Sequence, residues 1–189
     1  MPSTRILLAR HGETEWNRVG RWQGQADPPL NETGHGQAET LAEQLAGDGI
    51  EAIYSSDLRR ASETARIVGD RLGLSVSEDR RLREIDVGSW SGLTREEVQE
   101  QFPDGFARWL AGEIGHDGET REALTRRTVA AVETIAHDHV GQAVLVVTHG
   151  GAIRAVRRHA AGDPGESLPN GATIELGLLD GVLRVRAET

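Results

Sequence analysis

The sequence contains no cysteine and no lysine, and it has no long apolar run. Without cysteine, disulfide bridges and thiolate metal sites are excluded, and the redox compartment stays undetermined. No apolar run approaches the roughly 18 residues of a membrane span. The run that follows Met1 and its neighbours is also too short for a secretory signal. We therefore expect a soluble protein of the cytoplasm.

Charge and length narrow the function classes further. Acidic residues number 30 and basic residues 21, giving a net charge of −9 over 189 residues. This balance argues against a general nucleic-acid binder or membrane binder. A chain of this length suits one α/β domain and buries roughly 70% of its unfolded surface, enough for its own core. Because no repeat or composition shift divides the chain, we interpret residues 1–189 as a single domain.

Hydrophobic patterning alternates between strands and helices. Strands are expected at about residues 4–9, 52–54 and 144–147, and in a hairpin of 172–178 and 182–186 around Asp180-Gly181. The first helix is expected to begin at Asn31 or Thr33, and the second to follow the capping segment 55–57 and end at Gly73. Further helices are expected from Thr94 to Pro103, at about 119–138, and at 152–161. The apolar run 144–147 is typical of a central strand. The pattern predicts an α/β fold, a three-layer α/β/α sandwich with a mostly parallel central sheet and one antiparallel edge strand.

Two His-Gly pairs follow two of these strands. Arg10-His11-Gly12 comes directly after the apolar run 6–9, and Thr148-His149-Gly150 comes directly after 144–147. In open α/β sheets, ligands bind at the carboxyl ends of the strands, so we expect the two imidazoles to lie together there. Arg10 offers a planar fork suited to bidentate phosphate contact. The pattern therefore predicts a phosphate site.

Two other segments carry candidate site residues. Arg59 lies in the first turn of a helix, where its charge opposes the helix dipole, which favours a functional role. Arg60 is interpreted as a solvated helix-end residue. Glu84 and Asp86 are both candidate general acids, and position alone does not choose between them. The other histidines show no ligand pattern, so no metal site is predicted.

These motifs together resemble the histidine phosphatase superfamily, the group with phosphoglycerate-mutase-like folds. The resemblance covers nearly the whole chain, and the motifs stand in the family order. The motifs are Arg10-His11-Gly12-Glu13-Thr14 with Asn17, Gly20-Arg21-Trp22-Gln23-Gly24, Ser56-Asp57-Leu58-Arg59-Arg60-Ala61, Glu84 with Gly88, Trp90 and Gly92, and Thr148-His149-Gly150-Gly151.

The resemblance implies a reaction without metal or cofactor. His11 would be the nucleophile and become a phosphohistidine, while Arg10, Arg59 and a protonated His149 would hold the phosphate oxygens. Glu84 would protonate the leaving alkoxide and then activate water. The resemblance also implies further substrate-binding residues: Asn17, Gln23 and Gly24.

Ile85 and Val87 favour a phosphatase over a mutase. In mutases of this family an arginine follows the acid and a tyrosine stands two residues later, and this chain has neither there. Trp22 and Trp90 are the expected pocket walls, although packing of loops onto the core also explains them. A phosphomonoesterase acting on a small phosphorylated metabolite is the favoured function, and a homodimer is an added expectation. The alternatives are a phosphoglycerate-type mutase, a non-catalytic phosphate-binding regulatory protein and a metallohydrolase.

Overall fold

The computed structural model describes residues 3–179 and 181–188. The strands are β1 Thr4–Arg10, β2 Ile50–Ser55, β3 Val76–Glu78, β4 Ala143–Thr148, β5 Thr173–Leu179 and β6 Val182–Glu188. The α-helices are α1 Glu15–Arg18, α2 Glu32–Leu45, α3 Arg59–Leu72, α4 Arg95–Gln101, α5 Pro103–Leu110, α6 Arg121–Asp138 and α7 Gly150–Ala161. Short 3-10 helices occupy Arg80–Leu82 and Gly88–Trp90. None of the helices within this part of the chain is long and apolar enough to span a membrane.

One six-stranded sheet has the order β3-β2-β4-β1-β5-β6. The first four strands of this order pair in parallel, β5 pairs antiparallel with β1, and β6 pairs antiparallel with β5. The mostly parallel sheet with an antiparallel hairpin at one side is thus confirmed. Asp180 of the expected hairpin turn lies outside the described residues.

Helices cover both faces of the sheet. On one face, α2 and α3 bury Leu41 and Ala65 against β1, β2 and β4. On the other face, α6 and α7 bury Val132 and Ile153 against β1, β4 and the hairpin. Residues 144–147 are fully buried, as a central strand covered on both faces requires. The three-layer arrangement is therefore confirmed.

Several helix ends follow local sequence signals. Asn31 accepts a hydrogen bond from the Gly34 amide and begins α2. Gly73 ends α3 in the left-handed conformation, with φ of 69°. Thr94 forms the predicted capping box of α4, and Pro103 separates α4 from α5.

The start of α3 differs from its prediction. The segment 55–57 was expected to cap this helix, but its N-cap is Leu58, which has no side-chain cap. The Arg59 amide donates instead to Asp27 Oδ1 at 2.6 Å. An aspartate 32 residues earlier in the chain therefore satisfies the free amide, and local sequence gives no sign of it.

Strand register brings three loops to one level. Arg10 of β1 is paired with Thr148 of β4, and Val147 of β4 with Ser55 of β2. The loops that follow these strands therefore leave the sheet side by side at its carboxyl end. Residues beyond that end form a separate apolar cluster around Trp90, which borders the candidate site.

Candidate active site

The aligned strand ends place His11 and His149 against each other. The His11 amide donates to the Thr148 carbonyl at 3.0 Å, which extends the pairing of β1 and β4 by one residue. The two imidazole centroids are 5.1 Å apart with the rings tilted by 59°. Both side chains are buried. The predicted meeting of the two histidines is therefore what the structure shows, although 138 residues separate them in sequence.

A local hydrogen bond fixes the tautomer of His11. Its Nδ1 lies 2.6 Å from the carbonyl oxygen of Gly12, and a carbonyl oxygen only accepts, so Nδ1 carries the proton. Burial, followed by the charge of Arg60, holds the pKa of His11 well below its ordinary value, although the Gly12 bond opposes this. The ring is therefore neutral near pH 7 and keeps a lone pair on Nε2.

His149 is also a neutral ring. Burial lowers its pKa well below the ordinary value, and the charge of Arg60 adds to this effect. The protonated His149 expected from the sequence refers to the site with phosphate bound, and it stays a prediction. Its Nε2 lies 2.9 Å from Ser56 Oγ, whereas its buried Nδ1 has no hydrogen-bond partner among the described residues.

Two arginines stand beside the histidines. Arg10 donates to the Leu168 carbonyl at 2.6 Å, and Arg60 donates to the Ala26 and Gly24 carbonyls at 2.7 and 2.8 Å. In both, the buried Nε has no partner within the described part of the chain. Burial lowers the pKa of Arg10 and brings that of Arg60 to about 10, so both remain cationic at neutral pH.

The structure overturns the sequence interpretation of Arg59 and Arg60. Arg59 is 58% exposed and pairs with Glu63 at 2.6 Å on the outer face of α3, and it does not line the cavity. Arg60 is only 1% exposed and lines it. A signal was present in the sequence: an arginine and a glutamate four residues apart on a helix form a surface pair.

Glu84 reaches the site from the loop that follows the 3-10 helix at residues 80–82. Its carboxylate accepts from the Ile85 amide at 2.8 Å and from the Gly151 amide at 2.9 Å. Asp86 is exposed and accepts from the Gly88 amide within its own loop. The geometry therefore selects Glu84 as the carboxylate that lines the cavity.

Arg127 holds the segment around Glu84 in place, and the predictions from sequence did not include this residue. It donates to the Glu84 carbonyl at 2.9 Å and to the Arg83 carbonyl at 2.6 Å. It also pairs with Glu119 at 2.7 Å. Together with a bond to the Arg81 carbonyl, these contacts join one guanidinium to four residues. They are a tertiary arrangement, for which the sequence around Arg127 carries no local signal.

Asn17, Gln23 and Gly24 all line the cavity, as the resemblance implied. Asn17 closes a capping box with Thr14, and Thr14 Oγ1 also donates to Gln23 at 3.1 Å. Gly24 has a φ of 50° and offers its carbonyl to Arg60. The loop is thus held by internal hydrogen bonds and by its bond to Arg60.

The cavity over these groups measures about 610 Å³. Its aromatic wall consists of Trp16, Trp22 and Trp109. Trp90 was expected in that wall, but it is fully buried and packs edge-on against Trp22 at 5.5 Å, so it supports the wall from behind. Within the described residues, no group of three or more His, Asp or Glu side chains forms a metal site.

Comparisons with known proteins agree with the family resemblance of the sequence motifs. Residues 6–179 match the family model of the histidine phosphatase superfamily (branch 1). Phosphoserine phosphatase 1 of Hydrogenobacter thermophilus is 40% identical over 157 residues, which cover 80% of this chain and 74% of that protein. Glucosyl-3-phosphoglycerate phosphatase of Mycolicibacterium vanbaalenii is 38% identical over 174 residues, covering 87% and 77%. The solved structure of Bacillus stearothermophilus YhfR superposes with a TM-score of 0.92 at 32% identity, covering 98% of this chain and 96% of that one.

Proposed function

The chain belongs to the histidine phosphatase superfamily, and on that premise we propose that it is a metal-independent phosphomonoesterase whose nucleophile is His11. One observation carries the proposal. Three buried nitrogens around His11, namely Arg10 Nε, Arg60 Nε and His149 Nδ1, have no partner among the described residues. Buried polar groups normally find one. A phosphate would supply acceptor oxygens to all three.

In the first step, the lone pair on His11 Nε2 attacks phosphorus, and the bond from phosphorus to the ester oxygen breaks. Glu84, in its protonated form, gives its proton to the leaving alkoxide, so that an alcohol departs. In the second step, the Glu84 carboxylate removes a proton from water, whose oxygen attacks phosphorus and releases inorganic phosphate and neutral His11. One carboxyl group thus serves both half-reactions.

Arg10, Arg60 and His149 stabilise the transferring group. Phosphoryl transfer depends mainly on positioning and on charge stabilisation, and the guanidinium groups of half-buried Arg10 and buried Arg60 provide both. A phosphate dianion bound beside His149 would oppose the burial that lowers the pKa of this ring. His149 would then gain a proton as substrate binds, and it would carry the positive charge that is expected from the sequence.

Hydrolysis is favoured over mutase activity by the acid loop. Ile85 and Val87 line the cavity on either side of Asp86, and neither offers a polar group to a second substrate hydroxyl. Water is then the available acceptor. Mutase activity remains a minor alternative. We further propose a small phosphorylated metabolite of the cytoplasm as the substrate rather than nucleic acid or membrane, which the net charge of −9 supports.

The test is hydrolysis of p-nitrophenyl phosphate with a chelator present. We expect turnover by the wild type, a loss of about a thousandfold or more in His11→Ala, and normal turnover in His137→Ala, which alters an exposed histidine. Undiminished turnover by His11→Ala would contradict the proposal. Loss of wild-type turnover on chelation would favour a metallohydrolase. Phosphate binding without any turnover would favour a regulatory protein.

A further inference from the structure

The cavity has a cationic wall that the proposed reaction does not use. Among the described residues, the only lining carboxylate is that of Glu84, and the lining arginines are Arg10, Arg21, Arg60, Arg121, Arg154 and Arg158. The whole chain has a net charge of −9, so this excess of positive charge is local. Clefts lined by one sign of charge concentrate ligands of the opposite sign, and one phosphate does not occupy all six cations.

Among the described residues, the side chains of four of these arginines find a protein partner and those of the other two do not. Of the four, two belong to the phosphate site described above. Arg21 pairs with a carboxylate at 2.8 Å, and Arg121 donates to a main-chain carbonyl at 2.7 Å. Arg154 and Arg158 are exposed, and their side chains make no hydrogen bond or ion pair with any residue in the described part of the chain. They are therefore the cations left for a second group of the substrate.

Helix geometry relates this pair to the phosphate site. Gly150, Arg154 and Arg158 stand four residues apart on one side of α7, and a Cβ added at Gly150 would lie 3.5 Å from Arg10 Nε. A rise of about 1.5 Å per residue puts the Arg154 backbone about 6 Å beyond Gly150 and the Arg158 backbone about 12 Å beyond it. Side chains on a helix lean toward its N-terminus, which here is the phosphate end.

The pair does not stabilise α7 itself. Like charges four residues apart destabilise a helix, and α7 contains no acidic residue to offset them. In α3, by contrast, Glu63 follows Arg59 by four residues and pairs with it. Two arginines on one side of a helix, both lining a cavity and both without a side-chain partner among the described residues, are therefore better explained by a ligand than by stability.

We propose that Arg154 and Arg158 bind a second anionic group of the substrate, so that the physiological substrate is a phosphate monoester that also carries a carboxylate or a second phosphate. The inference rests on the proposed function, because it concerns the part of the ester that leaves as the alcohol. A carboxylate a few bonds from the ester oxygen would meet Arg154, and a more distant anion would meet Arg158.

Matched substrate pairs test this assignment. Phosphoserine and phosphoethanolamine differ only in a carboxylate, and fructose 1,6-bisphosphate and fructose 6-phosphate differ only in a second phosphate. The measured quantity is the ratio of kcat/KM within each pair. For at least one pair, we expect the wild type to favour the member that carries the second anionic group. This ratio should fall at least about tenfold in Arg154→Gln or Arg158→Gln, as loss of a charged hydrogen bond predicts. Arg126→Gln, which alters an exposed arginine outside the cavity, should keep the wild-type ratio.

The pair that responds identifies the second anion. The inference would be overturned by an unchanged ratio for both pairs, or by an equal loss of activity for both members of a pair. Hydrolysis of p-nitrophenyl phosphate would in that case still support the proposed function. Calorimetric binding of the same compounds to His11→Ala separates the two hypotheses. One outcome would support the subsite and overturn the proposed function. In it, the wild type hydrolyses none of the esters, while His11→Ala shows a binding preference that depends on Arg154 or Arg158.

Discussion

Two consecutive arginines of α3 end in opposite environments. Successive residues on a helix point about 100° apart, so only one of Arg59 and Arg60 can face the site. Arg60 shares the inner face with Thr64, whose hydroxyl donates to the Arg60 carbonyl at 2.8 Å and accepts from the Gly12 amide at 3.0 Å. Which of the two arginines can meet the substrate thus depends on which one lies on the side of α3 that faces the site.

Conservative replacement should separate the two arginines. In Arg60→Lys, we expect kcat/KM for p-nitrophenyl phosphate to fall about 100-fold or more, because an ammonium does not reproduce the guanidinium fork. Arg59→Lys is the matched control and should stay within about twofold, because that side chain is exposed and pairs with Glu63. The reverse order of effects would return the phosphate contact to Arg59.

Glu84→Gln tests proton transfer at the same scale. We expect a loss of about 100-fold for an alkyl ester such as phosphoserine, whose alkoxide must be protonated as it leaves. The loss for p-nitrophenyl phosphate should be about tenfold or less, because its phenolate needs little protonation. Steady-state kcat/KM on both esters is the measurement, because it reports the first half-reaction and not the hydrolysis of the phosphohistidine that both esters share. Equal slowing on the two would remove Glu84 from the role of general acid.

Long elements and the family were predictable from the sequence, whereas short elements were not. β4 is identified by its continuous apolar run and α6 by its helical apolar period, and the family assigned from the motif order is confirmed. The three-residue strand β3 and the four-residue helix α1 are too short to show a period. The Asp27 cap of α3 and the inward phase of Arg60 depend on tertiary contacts, so the sequence alone placed the wrong arginine at the site.

The first turn of α7 is an element-scale constraint on catalysis. A Cβ at position 151 would collide with the Glu84 carboxylate, so Gly151→Ala must displace the acid or the helix. We expect kcat for alkyl phosphates to fall about 100-fold, as a misplacement of about 1 Å can cause, with the fold retained by circular dichroism. Gly36→Ala in α2, where a Cβ meets open space, should leave kcat unchanged. Normal kcat in Gly151→Ala would show that the Glu84 position is not critical.

At the scale of the whole molecule, the site costs stability. His11 and His149 are buried as neutral rings, and three buried nitrogens of the site have no partner among the described residues. An unsatisfied buried polar group costs about 1–3 kcal/mol. The apolar burial of the sheet and its two helical layers offsets this loss in the free energy of unfolding. The whole fold therefore stabilises the site.

Stability should therefore fall as the solution is acidified. An unfolded histidine binds a proton below pH about 6.5, whereas burial holds the pKa of folded His11 and His149 well below that value. The unfolded state thus binds more protons below pH 6.5, and the free energy of unfolding should drop by up to about 1.4 kcal/mol per pH unit for each ring.

Urea unfolding at pH 5 to 7 measures this slope. His11→Asn should reduce the slope by about one histidine's share, and His137→Asn, at an exposed position, should not. A slope that His11→Asn leaves unchanged would mean that His11 titrates alike in both states.

The hydrogen bond from His11 Nδ1 to the Gly12 carbonyl also determines the regiochemistry of the proposed intermediate. With Nδ1 occupied by its own neighbouring peptide, phosphorus bonds to Nε2, the nitrogen flanked by the two ring carbons that bear hydrogen. The adduct is then the isomer in which both ring hydrogens adjoin the phosphorylated nitrogen. A single peptide unit, rather than a distant carboxylate, thereby selects one covalent isomer out of two.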